Sequence, residues 1–378
     1  MRVQLGLGLA SLIAAGSVHA SVLTVNPNII SDNITTFSSI SSAVNFADTD
    51  VNLANTYDVQ IASGTYVNDF ALVTRPMTLE AIGGSGVTMQ ANGQLLQSQG
   101  IIVIPSSFIG NANTGLTVKG ITLQGAAISD ALGGNGAGIR DQAPGGTTLR
   151  VENSQFIGNQ DGILTAGSNY QEKIEIVGST FLDNGSGTGQ THALYVGDAL
   201  SLLVQNSLFC GTLEGHDIKS RAMSTTVQGS KLFDGATGAG CNSAGTTSFS
   251  IEATNGGTVK IEDTDIVQGS GTHNTTMVRF GSDGLFPNST LSIINTNFDN
   301  SGVNGVGIQA PAGATGCTLQ NTNFNGVNTL FTPDTFCTTV AGPVGVGEPG
   351  TLALLLTALG CGAALLFARY LPPPCPVS

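Results

Sequence analysis

A six-residue phrase recurs eight times between residues 118 and 324, and this repeat limits the fold more than any other feature of the chain. The copies read VKGITL, VENSQF, IVGSTF, VQNSLF, VQGSKLF, IEDTDI, IINTNF and LQNTNF, and successive copies begin 23 to 34 residues apart. The runs between them are short and rich in β-branched residues, with no helical period. A short β-rich unit repeated at this interval predicts a solenoid in which each unit forms one coil.

The third position of the phrase holds residue types that tolerate a left-handed backbone. The eight residues are Gly120, Asn153, Gly178, Asn206, Gly229, Asp263, Asn295 and Asn321. We therefore predict that the chain turns a corner at each of them. The apolar residues on both sides of the corner are expected to point inward, so that like residues stack on like residues in successive coils.

The start of the chain adds a second signal. The segment FSSISSAVNFAD spaces Ile40, Val44 and Ala47 as on one face of a short helix, and VQIASGTYVNDF follows it. This opening and the eight coils resemble the pectate-lyase-like superfamily over roughly residues 35–335. The resemblance implies an all-β, right-handed parallel β-helix solenoid with a short N-terminal capping helix. It specifies fold rather than function, because the superfamily includes lyases, hydrolases, esterases, epimerases and inert surface proteins.

The two ends of the chain predict targeting segments around the repeat. Residues 1–20 contain Arg2, an apolar core and a small-residue exit at Ala20, as in a cleaved signal peptide. The uncharged run 351–368 is just long enough to cross a bilayer as a helix, and Arg369 would keep the tail cytoplasmic. The predicted organisation is a signal peptide at 1–20, a parallel β-helix domain at 21–340, a Gly/Pro linker at 341–350, a transmembrane or sorting helix at 351–369, and a cytoplasmic tail at 370–378.

The C-terminal segment resembles the PEP-CTERM sorting signal of Gram-negative bacteria. The shared features are the linker GPVGVGEPG, the apolar run and the basic residue Arg369. The chain departs from that pattern with Gly347-Glu348-Pro349 in place of Pro-Glu-Pro and with one arginine in place of a basic cluster. The resemblance implies a protein exported to the cell envelope or surface of a Gram-negative bacterium and held there by a C-terminal membrane anchor.

Charge and cysteine content narrow the choice of partners and compartment. The formal net charge is −13 with 12 Lys and Arg residues, which argues against nucleic acid as a partner. Four cysteines precede the C-terminal segment, namely Cys210, Cys241, Cys317 and Cys337. They permit two disulfides in an oxidising compartment, and Cys317–Cys337 is the favoured pair because its members lie about one repeat apart. Buried free thiols are the alternative.

A second strand in each coil is predicted to carry the functional side chains. Its inward residues align as Ile139, Ile163, Leu194, Ile218, Ile251, Val278 and Ile308. The next residue faces the opposite side of a strand, which predicts an outward column of Arg140, Leu164, Tyr195, Lys219, Glu252, Arg279 and Gln309. Asp217 and Arg221 are expected to flank Lys219 on that face. By the same parity, His192 and His216 are expected to face the core unless the preceding turn redirects them.

This set of side chains suits an acidic polysaccharide. β-Elimination from a uronic acid needs a cation for the carboxylate, a base for the C5 proton and an acid for the leaving oxygen. We assign the cation to Arg221 or Arg279, the base to Lys219 and the acid to Tyr195 or His216. The segment GHDIKSRA resembles the Lys-Ser segment of β-helix alginate and chondroitin lyases, although those enzymes carry an arginine one coil later, where this chain has Glu252. The predicted substrate-binding residues are His192, Asp217, Glu252, Arg140 and Gln309.

Three alternatives remain open from the sequence. The same column describes a solvated sheet face with weak ion pairs, as in a non-catalytic surface spacer or adhesin. Glycoside hydrolysis needs paired carboxylates, for which Asp161, Asp198, Asp217 and Glu252 are candidates without any Asp-Asp motif. His192 and His216 lack a third zinc ligand, so no cofactor is predicted. Calcium is possible at groove aspartates, although the corner residues Asp183, Asp234 and Asp299 are typical turn formers.

Overall fold

The structure is a computed structural model that describes residues 20–52, 55–110, 114–185, 191–301 and 304–340. Within these ranges the chain forms 33 β-strands and one α-helix. The strands make three sheets, in which strands of successive coils pair in parallel. Each coil supplies one strand to each sheet, which is the arrangement of a parallel β-helix. The predicted all-β solenoid is confirmed.

The strands are numbered in chain order. The first sheet contains β1 Ser21–Val25, β2 Thr36–Phe37, β3 Tyr57–Ile61, β6 Met77–Ala81, β9 Leu116–Lys119, β12 Thr148–Glu152, β15 Lys173–Val177, β18 Ser201–Gln205, β21 Ser224–Gln228, β24 Thr258–Glu262, β27 Thr290–Ile294, β30 Cys317–Gln320 and β33 Cys337–Thr339. The second sheet contains β4 Gly64–Val67, β7 Val87–Gln90, β10 Ile121–Gln124, β13 Gln155–Ile157, β16 Thr180–Leu182, β19 Leu208–Cys210, β22 Lys231–Asp234, β25 Asp265–Gln268, β28 Asn297–Asn300 and β31 Asn323–Asn325. The third sheet contains β5 Ala71–Leu72, β8 Gly100–Ile104, β11 Ala137–Asp141, β14 Asp161–Thr165, β17 Leu194–Val196, β20 His216–Ser220, β23 Phe249–Ala253, β26 Thr276–Phe280, β29 Val306–Gln309 and β32 Thr329–Thr332. The helix is α1 Ile40–Asp48, and short 3-10 turns occur at Ile82–Gly84 and Asp130–Leu132.

The predicted corners join the first sheet to the second. All eight residues at the third position of the phrase have positive φ, between 48° at Asn321 and 66° at Gly120. Such a backbone is strained for most side chains, which explains why Gly, Asn and Asp occupy the position. At the fourth position, the backbone N–H of Ser154 donates to the Ser179 hydroxyl, and the N–H of Ser179 donates to Ser207. These contacts hold successive corners in one register.

The core is a column of like side chains along the solenoid. Phe156, Phe181 and Phe209 end three copies of the phrase, and their rings stack at centroid distances of 4.7 and 4.5 Å. All three rings are fully buried. Stacked aromatic pairs contribute roughly 0.5–1.5 kcal/mol beyond the burial of their surface. The repeated phrase therefore specifies both the corner and the interior contact that follows it.

Helix α1 covers the N-terminal end of the solenoid, as predicted. Ile40, Val44 and Ala47 are fully buried on its inner face, which packs against β1, β3 and β5. Ser39 caps the helix by accepting a hydrogen bond from the N–H of Ser42. The helix thereby keeps water from the first open coil.

Two disulfides are present, and the favoured pairing is confirmed. Cys317 is bonded to Cys337, and Cys210 is bonded to Cys241. The second bond holds the insert 235–247 against the outer face of the second sheet, where Cys241 packs with Phe233 and Ala236. This long insert therefore lies away from the outer face of the third sheet.

The structure corrects the predicted fold class in one respect. Among the residues that it describes, no helix is long and apolar enough to cross a membrane, and α1 has nine residues. The described part of the fold therefore differs from the predicted fold class, since it contains no transmembrane helix. The segments predicted at 341–350, 351–369 and 370–378, and residues 1–19 of the predicted signal peptide, lie outside the described residues.

Candidate functional site

The outward column of the third sheet is confirmed by the strand register. Arg140 pairs with Leu164, and the column continues one residue per coil through Tyr195, Lys219, Glu252, Arg279 and Gln309. We call these seven side chains the outer column. The inward residues paired beneath it, from Ile139 to Ile308, are buried. The alternation of inward and outward residues along each strand, counted from one aligned aliphatic position, was enough to predict this column.

The predicted orientation of His192, His216 and Asp217 is wrong. In β20 both Asp217 and Ile218 are fully buried, and the strand pairing passes from His216–Phe249 to Ile218–Ile251 without a pair at Asp217. At the equivalent position two strands earlier in the sheet, a Cβ on Gly162 would lie 2.9 Å from the core ring of Phe181. Because Asp217 and Ile218 both point inward, the inward–outward alternation shifts by one position and the residue before them points outward. Asp217 therefore enters the core, and both histidines lie on the outer side.

Glu252 is the centre of a cluster that we call the Glu252 cluster. Its Oε2 atom lies 3.0 Å from His216 Nε2 and 3.8 Å from Lys219 Nζ. Its Oε1 atom lies 3.5 Å from Arg279 Nη1 and accepts a hydrogen bond of 2.8 Å from Ser282 Oγ. Glu252 is 3 % exposed. One buried carboxylate thus holds two of the predicted catalytic cations.

The electrostatics of this cluster fix its charge state. Burial would raise the pKa of Glu252, but contacts with His216, Ser282 and Lys219 lower it to about 2. Burial lowers the pKa of His216, against the opposing effect of Glu252. Burial lowers the pKa of His192 well below its usual value, and its Nδ1 accepts a 3.0 Å hydrogen bond from the N–H of His216. At neutral pH the cluster contains a carboxylate and two neutral imidazoles.

An open cleft of about 420 Å³ lies beside the Glu252 cluster on the same face. Its lining includes Arg140, Tyr195, Asp198 and Arg221. The hydroxyl of Tyr195 accepts a 3.0 Å hydrogen bond from Arg221 Nε, and Arg221 Nη2 forms a 2.6 Å ion pair with Asp283. The face is therefore concave at the coils that contain Arg140 and Tyr195. A volume of this size is in the range of small-ligand sites.

Arg140 differs from the other cations of this face. Within the described residues it forms no ion pair, and its buried Nε atom has no hydrogen-bond partner. The carboxyl group that acts on it electrostatically is Asp161. Burial raises the pKa of Asp161 to about 8, so this group is mostly protonated at neutral pH. The guanidinium charge of Arg140 is then available to a ligand in the cleft.

The structure divides the ten predicted site residues among four places. Arg140, Tyr195 and Arg221 line the cleft, while His192, His216, Lys219, Glu252 and Arg279 form or adjoin the Glu252 cluster. Gln309 and Arg279 line a smaller cavity of about 160 Å³, and Asp217 lies in the core. Sequence reasoning missed three residues of this face, namely Asn135, Ser282 and Asp283. They lie outside the strands, where the repeat gives no register, and Asp283 meets Arg221 from 62 residues away.

The positions of Asp161, Glu252 and Asp217 do not favour glycoside hydrolysis. Asp161 and Glu252 lie on strands three coils apart, which corresponds to roughly 14 Å along the stacking direction. Hydrolases place their two carboxyl groups about 5–9.5 Å apart. Asp217, another candidate carboxylate, faces the core. Within the described ranges, no group of three or more His, Cys, Asp or Glu side chains is arranged to hold a metal ion.

Comparison with known proteins gives little further information. No protein-family model and no curated protein matches the chain. A structure of pectin methylesterase from Aspergillus niger in penultimately deglycosylated form is similar with a TM-score of 0.36 and 14 % identity, over 87 % of this chain and 93 % of that chain. The deglycosylated form of that enzyme gives a TM-score of 0.28 and 12 % identity, over 86 % and 87 %. These values carry no argument about function, and the assignment of the fold rests on the strand pairing.

Proposed function

We propose that this protein binds an acidic polysaccharide on the outer face of the third sheet. The observation that carries the proposal is the position of Arg140, a cation without an ion-pair partner among the described residues, in an open cleft beside Tyr195 and Arg221. The whole chain has a net charge of −13. A cation left uncompensated in such an acidic protein is best explained by an anionic ligand.

The chemistry of the cleft matches a uronic acid unit. An arginine guanidinium binds a carboxylate through two parallel N–H···O bonds, and such charge-assisted bonds are about twice as strong as neutral ones. Arg140 supplies this contact, and Arg221, which is also paired with Asp283, places its Nε atom 3.0 Å from the Tyr195 hydroxyl. Asn135 and Asp198 provide amide and carboxylate groups for sugar hydroxyls. Neutral sugars lack the carboxylate and would lose the Arg140 contact.

We further propose that the domain works outside the cytoplasm. Two disulfides support this location, because such bonds persist in oxidising compartments and are rare in the cytosol. The signal-like sequence of residues 1–20 points the same way. An extracellular polymer would then be accessible to the cleft. Fractionation of the native host cells, followed by detection of the protein in the extracytoplasmic fraction, tests this location.

Elimination is the second candidate function, and the contacts of Tyr195 favour it. Lys219 Nζ lies 5.7 Å from the centroid of the Tyr195 ring, and the hydroxyl of Tyr195 accepts a hydrogen bond from Arg221. A base, an acid and a cation for the carboxylate therefore lie at one edge of the cleft. In this reaction Lys219 first releases its own ammonium proton to solvent, and its neutral amine then takes the C5 proton, while Tyr195 protonates the leaving oxygen and Arg221 stabilises the carboxylate. Cleavage leaves a double bond conjugated with that carboxylate.

Two assays on the same preparation test these proposals. Isothermal titration calorimetry with alginate, polygalacturonate and a neutral glucan should give binding to at least one acidic polymer and none to the glucan. Absorbance near 235 nm reports the unsaturated product, and a rise that disappears in Lys219→Ala supports elimination. Binding without absorbance identifies a binding protein. Absence of binding to every acidic polymer contradicts the proposal and leaves a non-catalytic spacer or adhesin.

A further inference from the structure

One turn between the third and first sheets is longer than the turns that precede it beside the cleft. It contains residues 281–289, between β26 and β27, and we call it the 281–289 turn. The equivalent turns of the two preceding coils contain only residues 221–223 and 254–257. The extra length allows the 281–289 turn to carry side chains back over earlier coils.

Backbone and ring contacts hold this turn in place. The N–H of Asp283 donates to the Thr254 carbonyl over 2.9 Å, and the N–H of Phe286 donates to the Asn255 carbonyl over 3.0 Å. The ring of Phe286 also packs edge-on against the ring of Tyr170, which lies in the turn after β14, at a centroid distance of 5.3 Å. These contacts fix the position from which the Asp283 side chain extends.

From this position Asp283 pairs with Arg221, which lies two coils earlier. Asp283 Oδ2 lies 2.6 Å from Arg221 Nη2, and Arg221 Nε donates to the Tyr195 hydroxyl over 3.0 Å. Nε and Nη2 form one edge of a guanidinium, and such an edge can bind a carboxylate through two parallel N–H···O bonds. Both donors of this edge are therefore occupied within the protein.

The two arginines of the cleft differ in this respect. Arg140 forms no ion pair among the residues that the structure describes. A sugar carboxylate that approaches Arg221 must displace the Asp283 carboxylate or lie close to its negative charge, and like charges repel. The Arg221 side chain is 29 % exposed and that of Asp283 is 48 % exposed, so a ligand can reach the pair.

We propose that Asp283 occupies Arg221 in place of a sugar carboxylate and thereby lowers the affinity of the cleft for acidic polymers. This inference rests on the proposed function and adds a positioning residue that acts against binding. Exposed ion pairs are weak, so a polymer with several carboxylates can displace Asp283. Arg140 then makes the first contact, and Arg221 contributes only after Asp283 has moved away.

Calorimetric titration of full-length proteins with polygalacturonate and alginate tests the proposal. Asp283→Asn keeps the size of the side chain and removes its charge, so its affinity should be about three- to tenfold higher than that of the wild type. Asp265→Asn is the matched control, because Asp265 pairs with Lys231 on the second sheet and the variant has the same net charge. It should bind within about twofold of the wild type. An affinity of Asp283→Asn that is no higher than that of Asp265→Asn would overturn the proposal.

A double variant tests whether the gain acts through Arg221. Asp283→Asn combined with Arg221→Gln should bind with the same affinity as Arg221→Gln alone, because the arginine that Asp283 occupies is then absent. Damage to the fold would not produce a gain of affinity that depends on Arg221. A gain that persists in the Arg221→Gln background would contradict the proposal.

A measurement without polysaccharide separates this inference from the proposed function. Phenylglyoxal reacts with arginine guanidinium groups, and it should modify Arg221 about two- to fivefold faster in Asp283→Asn than in the wild type. Mass spectrometry of peptides identifies the modified residues, and Arg140 should react at the same rate in both proteins. Equal rates at Arg221 would overturn the proposal. Faster modification of Arg221 without binding of any acidic polymer would confirm the contact with Asp283 and contradict the proposed function.

Discussion

The cleft and the Glu252 cluster occupy neighbouring coils of the third sheet, and both contain side chains of the outer column. In the cluster, Lys219 and Arg279 lie within 4.0 Å of a buried carboxylate. In the cleft, Arg140 has a protonated acid beside it and no ion-pair partner among the described residues. Cations in equivalent positions therefore have different roles. The protonation state of the nearest carboxyl group determines whether a cation is paired within the protein or free for a ligand. The cluster stabilises the face, whereas the cleft is left to attract an anion.

The largest expected effect tests the cleft side of this comparison. Arg140→Gln should reduce the affinity for an acidic polymer by at least about 100-fold, because Arg140 would lose two hydrogen bonds to a sugar carboxylate and hydrogen bonds to charged groups contribute about 1.5–3 kcal/mol each. Arg279→Gln is the matched control, since its guanidinium is already paired with Glu252. Its affinity should stay within about threefold of the wild type. If calorimetric titration gave the same loss of affinity for both variants, the proposed difference between the cleft and the Glu252 cluster would be wrong.

Glu252→Gln tests the cluster side. Removal of this buried charge leaves Lys219, Arg279 and His216 without their common partner, and loss of one member of a buried ion pair costs about 3–5 kcal/mol. Partial exposure of the two cations reduces this, so we expect about 2–4 kcal/mol in the free energy of unfolding, measured by urea denaturation. Glu262→Gln, which breaks the more exposed pair with Lys260, should cost less than about 1 kcal/mol. Similar costs for the two variants would show that the cluster has no special structural role.

The pH dependence of binding sharpens the role of Asp161. Its pKa of about 8 means that it becomes a carboxylate as the pH rises from 7 to 9. The new charge then compensates Arg140, and the affinity for an acidic polymer should fall by roughly tenfold over this range. Asp161→Asn stays neutral, so its affinity should be flat between pH 7 and 9. An unchanged slope in that variant would assign the pH dependence to another group.

The smallest expected effect concerns Tyr195. Tyr195→Phe removes the hydroxyl that accepts a hydrogen bond from Arg221 but keeps the aromatic ring. Arg221 remains held by Asp283, so its position is largely kept and the affinity should fall by only about two- to fivefold. Tyr195→Leu, which also removes the ring, should bind more weakly than Tyr195→Phe. Titration of both variants separates the hydroxyl from the ring.

The repeat explains why so much of the fold was predictable. Each corner residue, from Gly120 to Asn321, is a local requirement of the backbone, and the inward residues from Ile139 to Ile308 follow from period-two alternation. The orientation of Asp217 was not predictable, because two consecutive inward residues break that alternation in β20. The pairing of Arg221 with Asp283 could not be predicted from the sequence either. It joins residues outside the strands, where length and sequence vary between coils.

The most direct measurement of the central claim is a crystal structure of the protein with an oligouronate that binds in solution. The account predicts a sugar carboxylate on the guanidinium of Arg140, within the cleft and beside Arg221 and Tyr195. The Glu252 cluster should keep its internal contacts in the complex. An oligosaccharide bound on the first or second sheet, or bound through Lys219 and Arg279 with the cleft free of sugar, would contradict the account.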